Sequence, residues 1–160
     1  MILIIECLVL IVLFTFMIVI MSKNPIATLY NYPPKIQERV KSLDEYKDKI
    51  PTTENKIITK SIFAIMIVLL ISFILRYINV YTTFIEGFGY SLLLWTIINI
   101  YDAIVIDILW FCHNPKFIFK GTEDMIEEYH NYWFHIKESF KGEVIGTIIC
   151  VLIGLLIQFI

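Results

Sequence analysis

This chain is short of charge and of the motifs that mark chemistry. Charged residues are 18% of its 160 residues, and its cysteines number three, an odd count. Cys7, Cys112 and Cys150 all fall in or beside apolar runs. No disulfide framework follows, and they read as small apolar packers. There is no phosphate-binding glycine loop, no HExxH, no GxSxG and no CxxC pair. Motif-borne cases for nucleotide, zinc-hydrolase, serine-hydrolase or dithiol chemistry therefore have no support. No metal centre and no cofactor is expected. No internal repeat or low-complexity tract occurs. The loops are too short for a separate soluble catalytic domain, since domains rarely fall below about 50 residues. The first apolar run also lacks the marks of a signal peptide. It has no basic leader, carries Glu6, and is followed by no small-x-small cleavage site, so it reads as a retained helix.

What the chain has is apolar length. Hydrophobic residues are 58% and aromatics 15% of the sequence, and mean hydropathy is +0.76. Uninterrupted apolar runs lie at 1–21, 61–81, 88–111 and 144–160. A hydrocarbon core of about 30 Å needs roughly 20 helical residues; three runs meet that length and the fourth is at the short limit. Backbone groups in lipid must pair internally, so each run is predicted to be a helix. The runs do not alternate polar and apolar residues, which excludes a β-barrel. The expected fold class is an all-α integral membrane protein. It has four transmembrane helices plus two amphipathic cytoplasmic interfacial helices, in one membrane domain, 1–160. Loops at 22–60 and 112–143 and an outer turn at 82–87 connect the spans.

Charge distribution predicts the orientation. Of 13 basic residues, eight lie in 22–60 and four in 112–143, leaving only Arg76 elsewhere. The positive-inside rule puts both long loops in the cytoplasm and both termini outside. The expected location is the inner, cytoplasmic membrane, and the abundance of Ile and Lys hints at an AT-rich bacterial source. Tyr77, Tyr81, Phe84, Phe88 and Tyr90 would form an outer aromatic belt, with Trp110 and Phe111 on the inner side.

Two surface helices are predicted in the loops. Pro34 suits a first helical position, and Ile36, Val40, Leu43 and Tyr46 form one stripe of a helix from about 35 to 47, stopped by Pro51. Residues 52–55 read as a turn leading into the second span. A second helix, from 123 to about 141, has Thr122 as N-cap and a broad arc that includes Met125, Tyr129, Trp133, Ile136 and Phe140. The fourth span is predicted to begin after Gly142-Glu143.

Polar residues inside the spans carry the functional expectations. Asp102 falls near the bilayer centre, where an acid costs roughly 2.5–3.5 kcal/mol on insertion scales. Asp107 lies about 7 Å nearer the cytoplasm, and on an α-helix the two point about 140° apart. Asn99 sits one turn before Asp102. Asp102, Asn99 and Asp107 are the expected ligand or ion pathway; the competing reading is that neighbouring donors simply satisfy them. Arg76, Glu86 and Glu6 have similar predicted depth and form a candidate outer polar cluster, Arg76 with Glu86 reading also as an edge ion pair. Glu127 and His130 have an i, i+3 spacing used in di-iron bundles, but it occurs once, which favours a solvated pair. Gly142, Gly146, Cys150 and Gly154 form a small-residue seam for close helix packing, within the monomer or between subunits.

The leading expectation is a small transport or membrane accessory protein with a polar intramembrane site on the third span. Four helices make a thin bundle, so a pathway would need a homo-oligomer or a membrane-protein partner. Membrane lipids are the other expected partners, and no nucleic acid is expected. One alternative is an intramembrane enzyme acting on a lipid-like substrate at the cytoplasmic interface. There His113 or His135 would be the acid–base and Asp107, Asp124 or Glu128 its partner. Another alternative is a structural or assembly factor.

Overall fold

The computed structural model describes residues 2–50 and 53–160, with side chains throughout except at 53–60 and 63. Met1, Pro51 and Thr52 lie outside the described residues, and with them the expected helix stop at Pro51 and the first residue of the 52–55 turn. Every described element is helical. Helix α1 is Ile2–Met21 and a 3-10 segment follows at Pro25–Asn31. Then come α2 at Pro34–Ser42, α3 at Asp44–Lys47, α4 at Thr53–Tyr77 and α5 at Phe84–Tyr101. Helix α5 runs on as a π-helix at Asp102–Phe111, and short 3-10 turns occupy Pro115–Phe117 and Glu123–Met125. The chain ends with α6 at Ile126–Tyr129 and α7 at Tyr132–Phe159. Among the described residues, three helices are long and apolar enough to cross a membrane: Ile2–Met21, Phe84–Phe111 and Tyr132–Phe159. The described apolar part of α4, Ala64–Tyr77, is shorter.

The chain divides into two compact units. The first comprises Met1–Thr52 and Ile100–Ser139, the second Thr53–Asn99 and Phe140–Ile160. In the first, Leu29, Tyr32, Ile36, Val40, Phe117, Phe119 and Tyr129 form a buried core. The ring of Tyr32 packs on Phe111 at 4.8 Å and on Phe119 at 4.9 Å. Tyr129 Oη accepts from the Phe119 N–H at 3.0 Å and bonds Thr122 Oγ1 at 2.7 Å. Ion pairs between Lys35 and Glu128, Arg39 and Asp124 (3.2 Å), and Lys120 and Glu45 (4.0 Å) join the two loops at the surface. Helix α1 buries none of its residues, as expected of a helix solvated by lipid, and Thr15 Oγ1 bonds Tyr101 Oη at 2.8 Å.

In the second unit Leu75, Ile153 and Ile157 are the buried core, flanked by Val68, Ile71 and Ile149. Close packing rests on glycine. A Cβ at Gly154 would lie 3.0 Å from the Phe84 carbonyl oxygen, and one at Gly146 only 1.9 Å from the Trp95 ring. The seam Gly142, Gly146, Cys150 and Gly154 therefore faces α5, at least along its glycines, and lies within the monomer. The start of α5 is a capping box: Glu86 accepts from the Thr83 N–H at 3.0 Å, and Thr83 Oγ1 accepts from the Glu86 N–H at 3.3 Å.

The loops depart from the sequence expectation in three ways. The single helix expected over 35–47 is broken at Leu43, whose backbone is extended, so that α2 and α3 are separate. Helix α2 starts at Pro34 as expected, but its stripe residues Ile36 and Val40, both 0% exposed, pack on Phe117, Phe119 and Tyr129. That stripe is matched by apolar residues of the chain's own second loop, 77 to 93 positions away. The predicted single helix over 123–141 is also corrected. It breaks at His130-Asn131, where Asn131 Oδ1 caps the Phe134 N–H at 3.1 Å, and α7 then runs without interruption to Phe159. Asn131 is the stronger start signal because its short acceptor satisfies an orphan N–H. Gly142 costs only about 1 kcal/mol in a helix interior, too little to stop one already held by packing.

Candidate functional site

The polar residues of the third apolar run lie on an unusual backbone. Over Asp102–Phe111 the helix is wound in π fashion, and the Cys112 N–H donates to the Asp107 carbonyl oxygen, five residues back, at 3.0 Å. In such a ladder, residues five apart are neighbours on successive turns. Asp102 and Asp107 thus come to one side of the helix, where α-helical geometry would have separated them. Asp102 lies within Coulombic reach of both Asp107 and His135. Stretches of π-helix inside longer helices concentrate at functional sites.

His135, near the start of α7, completes this group. Its Nδ1 is 3.2 Å from Asp107 Oδ2; its side chain is 2% exposed and that of Asp107 29%. Phe111 and Phe134 pack on the imidazole with centroids at 5.3 and 5.2 Å. His135 Nε2 is buried with no hydrogen-bond partner among the described residues. An Nδ1–H facing that carboxylate would leave the lone pair of the neutral ring on Nε2. The imidazole thus sits in a dry setting beside a partly open carboxylate. Cys112, next along the chain, is 4% exposed. Burial, with a smaller contribution from Asp107, pushes its thiol up to about 12, so it is no nucleophile near neutral pH.

His113 belongs to a separate cluster in the same unit. Its Nδ1 is 2.8 Å from the Ile108 carbonyl oxygen and its Nε2 is 3.1 Å from Tyr132 Oη. The His130 ring lies nearly parallel to it at 5.4 Å. A recess of about 80 Å³ beside them is lined by residues that include Cys112, His113, Asn114 and His130. Small-molecule sites usually measure about 300–1,000 Å³, so this one holds waters or a small group and no lipid-sized substrate. Asp124 and Glu128 are engaged by Arg39 and Lys35. Of these acids, Asp107 is the one set against a histidine ring nitrogen among the described residues.

In the second unit, Asn99 belongs to a polar group of its own. Its Nδ2 donates to Glu143 Oε2 at 2.8 Å, and Thr96 Oγ1 donates to Glu143 Oε1 at 2.6 Å. Glu143 was read from the sequence as a loop residue before the fourth span. A signal was present: it lies three residues before Gly146 and seven before Cys150, on the face of the seam. Glu86 accepts from the Thr82 N–H and from both donors of Thr83. No ion pair joins it to Arg76 among the described residues. Arg76 Nε is buried without a hydrogen-bond partner among the described residues. Comparison with known proteins adds no further assignment: no protein-family model, characterised protein or solved structure matches this chain.

Proposed function

We propose that this chain is a small transport or accessory protein of the bacterial cytoplasmic membrane, and that Asp102, Asp107 and His135 form its proton-handling centre. The observation that carries the reading is the Asp107–His135 contact at 3.2 Å, with the opposite ring nitrogen buried and unpaired. Ionisable residues within membrane helices are costly and mark substrate or proton routes. Asp102 supplies a second carboxyl on the same side of the π-helical stretch, so a proton has two acids and an imidazole to occupy in turn. Helix α4, 25 residues long, serves as the fourth span in this reading. Both termini lie outside, and α2 with the 112–131 segment lies at the cytoplasmic interface, among lipid headgroups. A bundle of four helices encloses little space, so the pathway is completed by a second copy or a membrane-protein partner.

The test is proton flux into proteoliposomes followed with an internal pH dye. Asp107→Asn and His135→Gln are expected to keep the fold and abolish flux above the lipid background. Unchanged flux in both would overturn the proton reading. An introduced Ser42→Cys thiol should react only from the cytoplasmic side of intact cells, and labelling from outside would overturn the orientation. A second reading, an interfacial enzyme, is favoured by one feature: a histidine oriented by a carboxylate with a free Nε2 is also a general base. Lipid turnover that is lost in His135→Gln, without any proton flux in the parent, would select it.

A further inference from the structure

Glu143 is a carboxylate on a helix long enough to span the membrane, and its partners are neutral. Thr96 and Asn99 donate to its two oxygens at 2.6 and 2.8 Å, and no Lys, Arg or His is ion-paired to it among the described residues. Glu143 is half-buried, and two neutral donors satisfy its oxygens but leave its negative charge uncompensated. A fixed charge in that position calls for a mobile one.

We infer that Glu143, Thr96 and Asn99 form a binding site for a single alkali cation, Na⁺. Three arguments choose this ligand. One carboxylate balances one positive charge, so a divalent ion would leave an excess that two neutral partners cannot offset. All three side chains carry oxygen, the ligand that hard cations take. Each neutral partner can also reverse its role, because a threonine hydroxyl rotates its hydrogen away and an asparagine amide turns its oxygen inward. With the ion absent they donate to the carboxylate, as seen here; with it present they coordinate alongside the carboxylate. A proton would sit on one carboxylate oxygen and give the other two side chains no such shared task. Helix approach holds the oxygens together, since Gly142 faces Asn99 Oδ1, where a Cβ would come within 3.3 Å, and Gly146 admits Trp95 beside Thr96. This site stands apart from the Asp107–His135 pair and does not depend on its role.

The experiment is thermal unfolding of the full chain in detergent, with NaCl replaced by choline chloride at fixed ionic strength and neutral pH. Na⁺ is expected to raise the midpoint saturably, by about 3–6 °C at roughly ten times its dissociation constant. Glu143→Gln should retain the choline midpoint within a few degrees and lose the Na⁺ response. Thr96→Val should raise the Na⁺ concentration for half-effect by about fivefold, the worth of one hydrogen-bonding group. If Glu143→Gln does not fold, Thr96→Val decides: an unchanged half-effect concentration overturns the site. Superposed Na⁺ and choline curves for the parent chain overturn it too. So does a midpoint that follows pH alone, which would make Glu143 a proton site, and so does a Na⁺ response that survives in Glu143→Gln.

Discussion

Replacing Gly146 by alanine tests how the second unit is packed. An added methyl would lie 1.9 Å from both Cε2 and Nε1 of Trp95, and 2.5 Å from Cδ1. Ordinary contact begins near 3.4 Å, so the fused ring must withdraw about 1.5 Å or the helices must part. Overpacking of this kind costs about 1–3 kcal/mol, and the upper end applies because the obstacle is a rigid ring. Alanine's better helix propensity returns about 1 kcal/mol. The net expectation is a loss of about 2 kcal/mol and a midpoint lowered by about 4–8 °C. Gly89 on α5 is the matched control, since a Cβ there meets nothing within 4 Å. Gly89→Ala should gain up to about 1 kcal/mol from propensity alone. Scanning fluorimetry in detergent reads both variants, and Gly146→Ala combined with Trp95→Leu should recover most of the loss. If Gly146→Ala is as stable as the parent, or the two alanine variants shift together, the close approach of Trp95 to Gly146 is wrong.

Tyr32 Oη is buried without a partner among the described residues, so Tyr32→Phe is expected to raise stability at neutral pH by about 1 kcal/mol. Burial first, and Tyr129 second, hold the Tyr32 phenol above its ordinary value of 10.0. The unfolded chain therefore loses this proton before the folded one, and stability should fall as pH rises above about 10. Tyr32→Phe should flatten that alkaline limb in a pH series of unfolding midpoints, and an unchanged slope would count against the assignment. Gly121 has φ +85, and a Cβ there would meet Leu43 at 3.0 Å; Gly121→Ala should cost about 1–2 kcal/mol in the same assay. Glu86→Ala removes the capping box of α5 and should cost about 1 kcal/mol, whereas Glu86→Gln should lose less because it still accepts from Thr83.

The sequence by itself determined that the chain is helical and apolar enough for a membrane, because a long run of apolar residues leaves the backbone no other way to satisfy its polar groups. It also located Pro34 at a helix start, and Asp102 and Asp107 as acids inside an apolar run. Tertiary structure decided where the apolar stripes and the acids point. Ile36 and Val40 have the pattern of a lipid-facing stripe, yet the rings of Phe117, Phe119 and Tyr129 cover them, and periodicity cannot name the surface that an apolar face meets. Asp107 finds His135 only because the chain folds back after Cys112. Its alignment with Asp102 depends on π winding, which no residue spacing in the run announces. Glu143 looked like a loop residue because glycine beside it suggested a break; packing against α5 keeps the helix continuous there and sets its carboxylate between Thr96 and Asn99.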